Sequence, residues 1–132
     1  MKKRVFLGGT CNETTWRDEL ISKIDISYFN PVVLDWNKDA QANEEREKEI
    51  CQFHLYVLTP KMTGFFSIAE LIDDSNKIKD RTLFCFFESD GHSKFDEFQM
   101  KSIKSISKMA LKNGAIEFKN LDEIATYLNK LK

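Results

Sequence analysis

Short apolar runs alternate with longer segments that mix apolar and polar residues along this chain of 132 residues. The apolar runs are continuous instead of alternating with polar residues, a pattern typical of parallel strands that are buried on both faces. They predict five strands, at residues 4–9, 31–35, 55–59, 82–87 and 115–118.

The segments between these runs repeat apolar residues every three or four positions, which is the period of an α-helix. Trp16, Leu20 and Ile24 follow this spacing after the first run, and Asn12 before them is a residue type that caps helices. Residues 42–51 are dense in Glu, Arg and Lys, which predicts a helix with one narrow buried edge. Further helices are predicted at residues 67–79, at 93–112 before the C-cap pair Asn113-Gly114, and from Asn120 onward.

Strict alternation of strands and helices favours a parallel sheet, because parallel strands need long crossover connections. Five strands and five helices then predict a three-layer α/β/α sandwich of the flavodoxin-like or Rossmann-like type. No repeat and no linker rich in Pro, Gly or Ser interrupts the pattern, so we expect a single domain over residues 1–132.

Charge and cysteine content narrow the function classes. The chain has 20 basic and 21 acidic side chains and a net charge of -1, which argues against nucleic acid or a membrane surface as a partner. The three cysteines are widely spaced, form no CxxC pair and follow no secretory leader, so reduced thiols in the cytoplasm are expected. His54 and His92 are isolated in the sequence, and we predict neither a metal site nor a cofactor.

Ligands of open parallel α/β sheets bind outside the carboxyl ends of the strands. Residues 8–10, Asp35-Trp36, 60–70 and 88–92 would emerge at that edge. Two glycines after the first strand let a ligand approach the backbone, although they lack the spacing of a GxGxxG fingerprint or a P-loop. Trp36 has the chemistry to stack on a base and Asp35 to hold a sugar hydroxyl, while packing is the commoner role of such a tryptophan.

Glu70 places a carboxylate at the start of the helix that follows the third strand. Two interpretations are open. The spacing of Ser67 and Glu70 matches a capping box, in which the acid satisfies a backbone donor, and residues 93–96 and 120–123 have similar spacing. The other interpretation is a catalytic carboxylate, and spacing alone favours capping.

Three motifs resemble the nucleoside 2-deoxyribosyltransferase family, particularly its divergent branch, over roughly the first 90 residues. Residues 5–9 resemble the family's first strand and glycine turn, and residues 30–36 its second strand. Pro60, followed ten residues later by Glu70-Leu71, is similar to the family's catalytic segment and is the most specific of the three.

The resemblance implies that Glu70 attacks the anomeric carbon of a sugar and expels the base. The resulting covalent glycosyl-enzyme intermediate is resolved by a second base or by water. It also implies a nucleoside or nucleotide as the small-molecule partner and a homo-oligomer whose neighbouring subunit completes the site. The predicted substrate-binding residues are Gly8, Gly9, Thr10, Asp35, Trp36, Pro60 and Gly64.

Three positions differ from the family pattern, and the register of a fourth is open. Phe6 replaces a tyrosine whose hydroxyl lies near the nucleophile, so another donor must orient Glu70. Gly64 stands where an aspartate contacts the base, and Ile72 where a glycine follows the Glu-Leu pair. A further family acid, on the helix before the third strand, corresponds to Glu44 or Glu47.

The sequence therefore leaves more than one function open. The first is an enzyme that cleaves or transfers the N-glycosidic bond of a nucleoside or nucleotide. A related alternative is a TIR-like glycohydrolase of a nicotinamide dinucleotide, since that fold also joins a similar sheet to a catalytic glutamate. The alternative from another class is a catalytically silent nucleotide-binding or interaction module. A flavin or redox protein is disfavoured because no strand-end loop is rich in Ser, Thr and Gly.

Overall fold

The computed structural model describes residues 2–11, 13–33 and 37–132. Five parallel strands form one sheet within these residues: β1 (Arg4–Gly9), β2 (Ser27–Phe29), β3 (Phe53–Leu58), β4 (Thr82–Phe86) and β7 (Ile116–Glu117). Their order in the sheet is β2-β1-β3-β4-β7. In a separate hairpin, β5 (Ser89–Asp90) pairs with β6 (Ser93–Lys94). The helices are α1 (Trp16–Ile21), α2 (Lys38–Ile50), α3 (Phe66–Lys77), α4 (Glu97–Asn113) and α5 (Leu121–Leu131), with a short 3-10 helix at Lys79–Arg81.

This arrangement confirms the predicted α/β sandwich with a five-stranded parallel sheet, and its strand order is that of flavodoxin-like folds. Alternate residues of each strand face opposite sides of the sheet. Leu55 and Val57 of β3 pack with α1 and α5, whereas Tyr56 and Leu58 pack with Leu71 of α3 on the other side. Both faces are therefore buried, as the continuous apolar runs predict. None of the described helices is long and apolar enough to cross a membrane.

The prediction of a second strand at residues 31–35 is wrong. The strand lies earlier, at Ser27–Phe29, where it pairs with Arg4–Phe6 of β1. Asn30 ends it, because its side chain accepts a hydrogen bond from the Val32 N–H at 3.1 Å, and Pro31 has no N–H to donate to a strand. Of the predicted run, residues 34 and 35 lie outside the described part of the chain.

The helix predicted at residues 93–112 begins later, at Glu97, because Ser93–Lys94 form the second strand of the hairpin. Its capping box joins Asp96 to Gln99, so the predicted box at 93–96 is wrong. The predicted C-cap is confirmed, since Gly114 adopts the left-handed conformation at φ 111°. At the next helix Asn120 caps the Glu123 N–H, while the Glu123 carboxylate accepts from Lys119 instead of closing a box with Asn120.

The turn after β1 needs glycine because β3 passes very close to it. A Cβ added at Gly9, whose φ is +114°, would lie 2.0 Å from the carbonyl oxygen of Val57. At Gly8 it would lie 2.8 Å from the ring of Tyr56. These two glycines are thus required by packing, before any ligand is considered.

We expect Gly9→Ala to lower the free energy of unfolding by about 2 kcal/mol, because the main chain must shift to relieve the clash and the strained φ. Urea unfolding measures this. Gly64→Ala is the matched control, since a Cβ there meets nothing within 4 Å. Equal stability of the Gly9 and Gly64 variants would contradict the close approach of β3.

Candidate functional site

A crevice opens at the carboxyl ends of β1 and β3, where the strand order changes direction and ligands of this fold class bind. The crevice consists of three neighbouring cavities. The Gly64 cavity (about 330 Å³) includes Gly9, Thr10 and Glu70, and the Pro31 cavity (about 330 Å³) includes Gly9, Glu44 and Glu70. The Gln41 cavity (about 590 Å³) includes Glu44, Lys48 and Glu70. Glu70 is the residue that all three share.

Glu70 is held by an ion pair and not by a helix cap. Helix α3 begins at Phe66, and its N-cap residue Phe65 makes no side-chain cap. The predicted capping box with Ser67 is therefore wrong, and Glu70 lies beyond the first turn, where the helix dipole has little effect. Its Oε2 lies 2.7 Å from Nζ of Lys48, with 18% of the Glu70 side chain exposed. Lys48 is thus the donor that orients Glu70, where Phe6 offers none.

A buried polar cluster lies beside this ion pair. Asp74, one turn after Glu70 on α3, accepts hydrogen bonds at Oδ2 from Tyr56 Oη at 2.5 Å and from His54 Nδ1 at 2.8 Å. His54 Nε2 donates to the carbonyl oxygen of Lys48 at 2.7 Å. Burial opposes ionisation of Asp74, but the bonds from His54 and Tyr56 outweigh it and lower the pKa of Asp74 below its ordinary value. His54, expected to be isolated, therefore has an acidic partner.

Of the two acids suggested for the helix before β3, the structure brings Glu44 to the crevice. Glu47 instead pairs with Arg4, with 2.8 Å between Oε2 and Nη1. Burial and the negative charge of Glu70 raise the pKa of Glu44, against the opposing charges of Lys48 and Arg17. A carboxylic acid that holds its proton more tightly than usual therefore lies beside an ion-paired carboxylate.

The predicted substrate-binding residues have different surroundings. Gly8 lines the Pro31 cavity, Thr10 and Gly64 line the Gly64 cavity, and Gly9 lines both. Thr10 is also structural, since its hydroxyl accepts a hydrogen bond from the Thr59 N–H at 2.9 Å. Pro60 lines a separate apolar cavity near α4. Asp35 and Trp36 lie outside the described residues.

Arg17 is a site residue that the sequence pattern does not reveal. Its buried guanidinium donates to the carbonyl oxygens of Leu7 at 3.0 Å, Thr10 at 2.5 Å and Gly9 at 3.2 Å. Burial lowers its pKa. These bonds fix the turn after β1 and leave the guanidinium occupied by main-chain oxygens, so Arg17 shapes the crevice.

Metal-binding groups are not apparent in the described part of the chain, where no cluster of three or more His, Cys, Asp or Glu side chains is placed to hold an ion. The cysteines are free thiols. Burial raises the pKa of Cys51 to about 11 and that of Cys85 to about 12, so both stay protonated at neutral pH. Cys11 is exposed and lines the crevice.

Comparison with known protein families gives one match. A family model described as nucleoside 2-deoxyribosyltransferase like matches residues 2–78, more than half of the chain. The matched part contains the turn after β1, Glu44, Lys48 and Glu70. No curated protein and no solved structure matches the chain significantly.

Proposed function

The chain belongs to the nucleoside 2-deoxyribosyltransferase-like family, and we propose that it cleaves or transfers the N-glycosidic bond of a nucleoside or nucleotide through Glu70. The observation that carries the proposal is the position of this side chain. Glu70 is half-buried, lines all three cavities of the crevice and shares two of them with a second carboxyl group, Glu44. Most enzymes that cleave glycosidic bonds use two carboxyl groups as catalytic residues, and the two groups have different environments.

In the proposed first step, a carboxylate oxygen of Glu70 forms a bond to the anomeric carbon while the bond from that carbon to the base nitrogen breaks. Oε2 is bound by Lys48, whereas Oε1 has no partner among the described residues and is the oxygen available for attack. The electron pair of the broken bond leaves with the base. The product is a glycosyl ester on Glu70, which splits one difficult displacement into two easier ones.

Glu44 supports this step as the proton donor to the departing base. Its raised pKa keeps the carboxyl group protonated at a higher pH than an ordinary glutamate. Because the charge of Glu70 contributes to that rise, forming the neutral ester lowers the pKa of Glu44 again and favours release of its proton. The resulting carboxylate is then available as the base for the second step, in which another base or water attacks the ester.

A screen for base release tests the proposal. The protein is incubated with nucleosides, nucleoside monophosphates and dinucleotides, with and without a second free base, and the products are separated chromatographically. We expect free base from at least one class of substrate. New nucleoside in the presence of the second base indicates transfer, and free sugar indicates hydrolysis. Cleavage of a nicotinamide dinucleotide alone would favour the TIR-like glycohydrolase.

A catalytically silent binding module is the second candidate, and one observation favours it. The Phe6 ring lines the same cavity as Glu70 and brings no hydrogen-bond donor to it. In this case the screen yields no free base from any compound, while calorimetry detects binding of one or more of them. That combination of results would contradict the enzymatic proposal.

We expect Glu44→Gln to lower base release by about 10²-fold or more and to change its pH dependence. In the wild-type protein the rate should fall as pH rises through the raised pKa of Glu44, because the acid form is the active one. The glutamine variant should lack this alkaline decline. Rates measured from pH 4 to 9 test the prediction. Glu49→Gln is the control, since Glu49 is an exposed acid of the same helix that lines none of the three cavities. An unchanged profile would exclude Glu44 as the proton donor.

A further inference from the structure

Lys48 lies between several acidic groups of the crevice. Its Nζ is 2.7 Å from Oε2 of Glu70 and 3.7 Å from Oδ2 of Asp74, acids that are one turn apart on α3. The same nitrogen lies 5.8 Å from the ring centre of Phe6 and 5.7 Å from that of Tyr56. Two carboxylates and two ring faces thus surround an ammonium group whose side chain is 23% exposed.

The main chain of Lys48 is fixed as well. Its carbonyl oxygen accepts a hydrogen bond from His54 Nε2 at 2.7 Å, and the other nitrogen of the same ring binds Asp74 at 2.8 Å. His54, which belongs to β3, therefore connects the end of α2 with α3. Glu44 precedes Lys48 by four residues, which places both on one face of α2, and both line the Gln41 cavity with Glu70.

We propose that Lys48 is the positioning residue of the site: it holds the Glu70 carboxylate in place and balances negative charge as that charge moves between acids during the reaction. The inference rests on the proposed function. In the first step the Glu70 carboxylate becomes a neutral ester, and the base departs with the proton of Glu44, so one negative charge passes from Glu70 to Glu44. Lys48 is ion-paired with Glu70 and lines the Gln41 cavity together with Glu44, and Asp74 remains as its fixed partner throughout.

The competing explanation is that Lys48 only attaches α2 to the rest of the fold. Helix α2 has no fully buried residue and therefore depends on polar contacts. The Arg4–Glu47 ion pair is a second such contact, made one residue earlier on the same helix, and neither residue lines the three cavities that contain Glu70. Glu47→Gln weakens this ion pair and so weakens the attachment of α2 without changing the nucleophile. It is therefore the matched control for Lys48→Met.

We expect Lys48→Met to lower kcat for base release by about 10- to 100-fold with little change in KM, because displacing a nucleophile by about 1 Å has effects of this size. Lys48→Arg should recover much of the loss, since it restores the positive charge. Glu47→Gln should keep kcat within about twofold of the wild type even where it lowers the melting temperature as much as Lys48→Met does. If the wild-type protein releases base and Lys48→Met releases it equally fast, the positioning role is wrong.

A second measurement does not depend on turnover. Proton-detected ¹⁵N spectra of lysine side chains should show one slowly exchanging ammonium signal that disappears in Lys48→Arg and identifies Lys48. We expect the signal to persist with a changed shift in Glu70→Gln, because Asp74 still holds the ammonium. Loss of the signal in that variant, or its absence from the wild type, would overturn the shared pairing. Failure of the proposed function would instead appear as a wild-type protein that releases no base.

Discussion

Replacing Glu70 with glutamine lowers base release by about 10³-fold or more. The amide has nearly the shape of the carboxylate but is a far weaker nucleophile, so no glycosyl ester forms. The fold is expected to persist, because Glu70 does not cap α3 and Lys48 keeps a carboxylate neighbour in Asp74. The measurement is the rate of base release on the best substrate of the screen, together with the melting temperature.

Glu47→Gln is the control, since it makes the same chemical change at an ion-paired glutamate outside the crevice. Its rate should equal that of the wild type. Mass spectrometry of acid-quenched wild-type protein gives an independent check, because the sugar should be found on the peptide that contains residues 66–77. A Glu70→Gln protein that still releases base within tenfold of the wild-type rate would show that another group performs the attack.

The fold is predictable from the sequence where strands are buried on both faces. The β3 and β4 runs lie inside the sheet, so each apolar residue meets a neighbour and the pattern is continuous. The edge strand β2 has one neighbour and only three residues, and its sequence is no more apolar than Val32-Val33, which are nearly half exposed. The position of β2 is set by its pairing with β1, and the local sequence does not contain this information.

The site is less predictable because its polar contacts join distant parts of the chain. Lys48 and Glu70 are 22 residues apart, and His54 and Asp74 are 20 apart. A lysine within a run of charged residues normally indicates a solvated helix face, which is why Lys48 has no signal of its own. The resemblance to the family singles out Glu70, whereas its donor follows only from the tertiary structure, in which the Lys48 side chain of α2 reaches Glu70 on α3.

The failed capping box shows a similar limit. Ser67 and Glu70 have the required spacing, but a cap also needs the residue before the helix to have extended backbone geometry. The helix starts one residue too early, at Phe66, so Ser67 is already helical. The box at Asp96 forms because that residue has the extended geometry, at φ -77° and ψ 176°.

Asp74→Asn is expected to lower the free energy of unfolding by about 3 kcal/mol at pH 7, because it removes the charge from a buried cluster and leaves its partners without an anion. These partners are His54 and Tyr56 from β3 and Lys48 from α2, with the Glu70 carboxylate as the nearest other acid. Urea unfolding of the two proteins gives the difference. The neighbouring Asp73→Asn is the control, since Asp73 is exposed and pairs only with the exposed Lys77 among the described residues.

The pH dependence of this difference separates charge from packing. The pKa of Asp74 is lowered in the folded protein, so its contribution is fully present above its unfolded pKa of about 4 and is lost as pH falls through the folded value. The gap between wild type and Asp74→Asn should be smaller at pH 3 and below than at pH 5. A gap that stays constant at acidic pH would mean that the cost comes from altered packing, and the ionised Asp74 would then have no role in holding Lys48 beside Glu70.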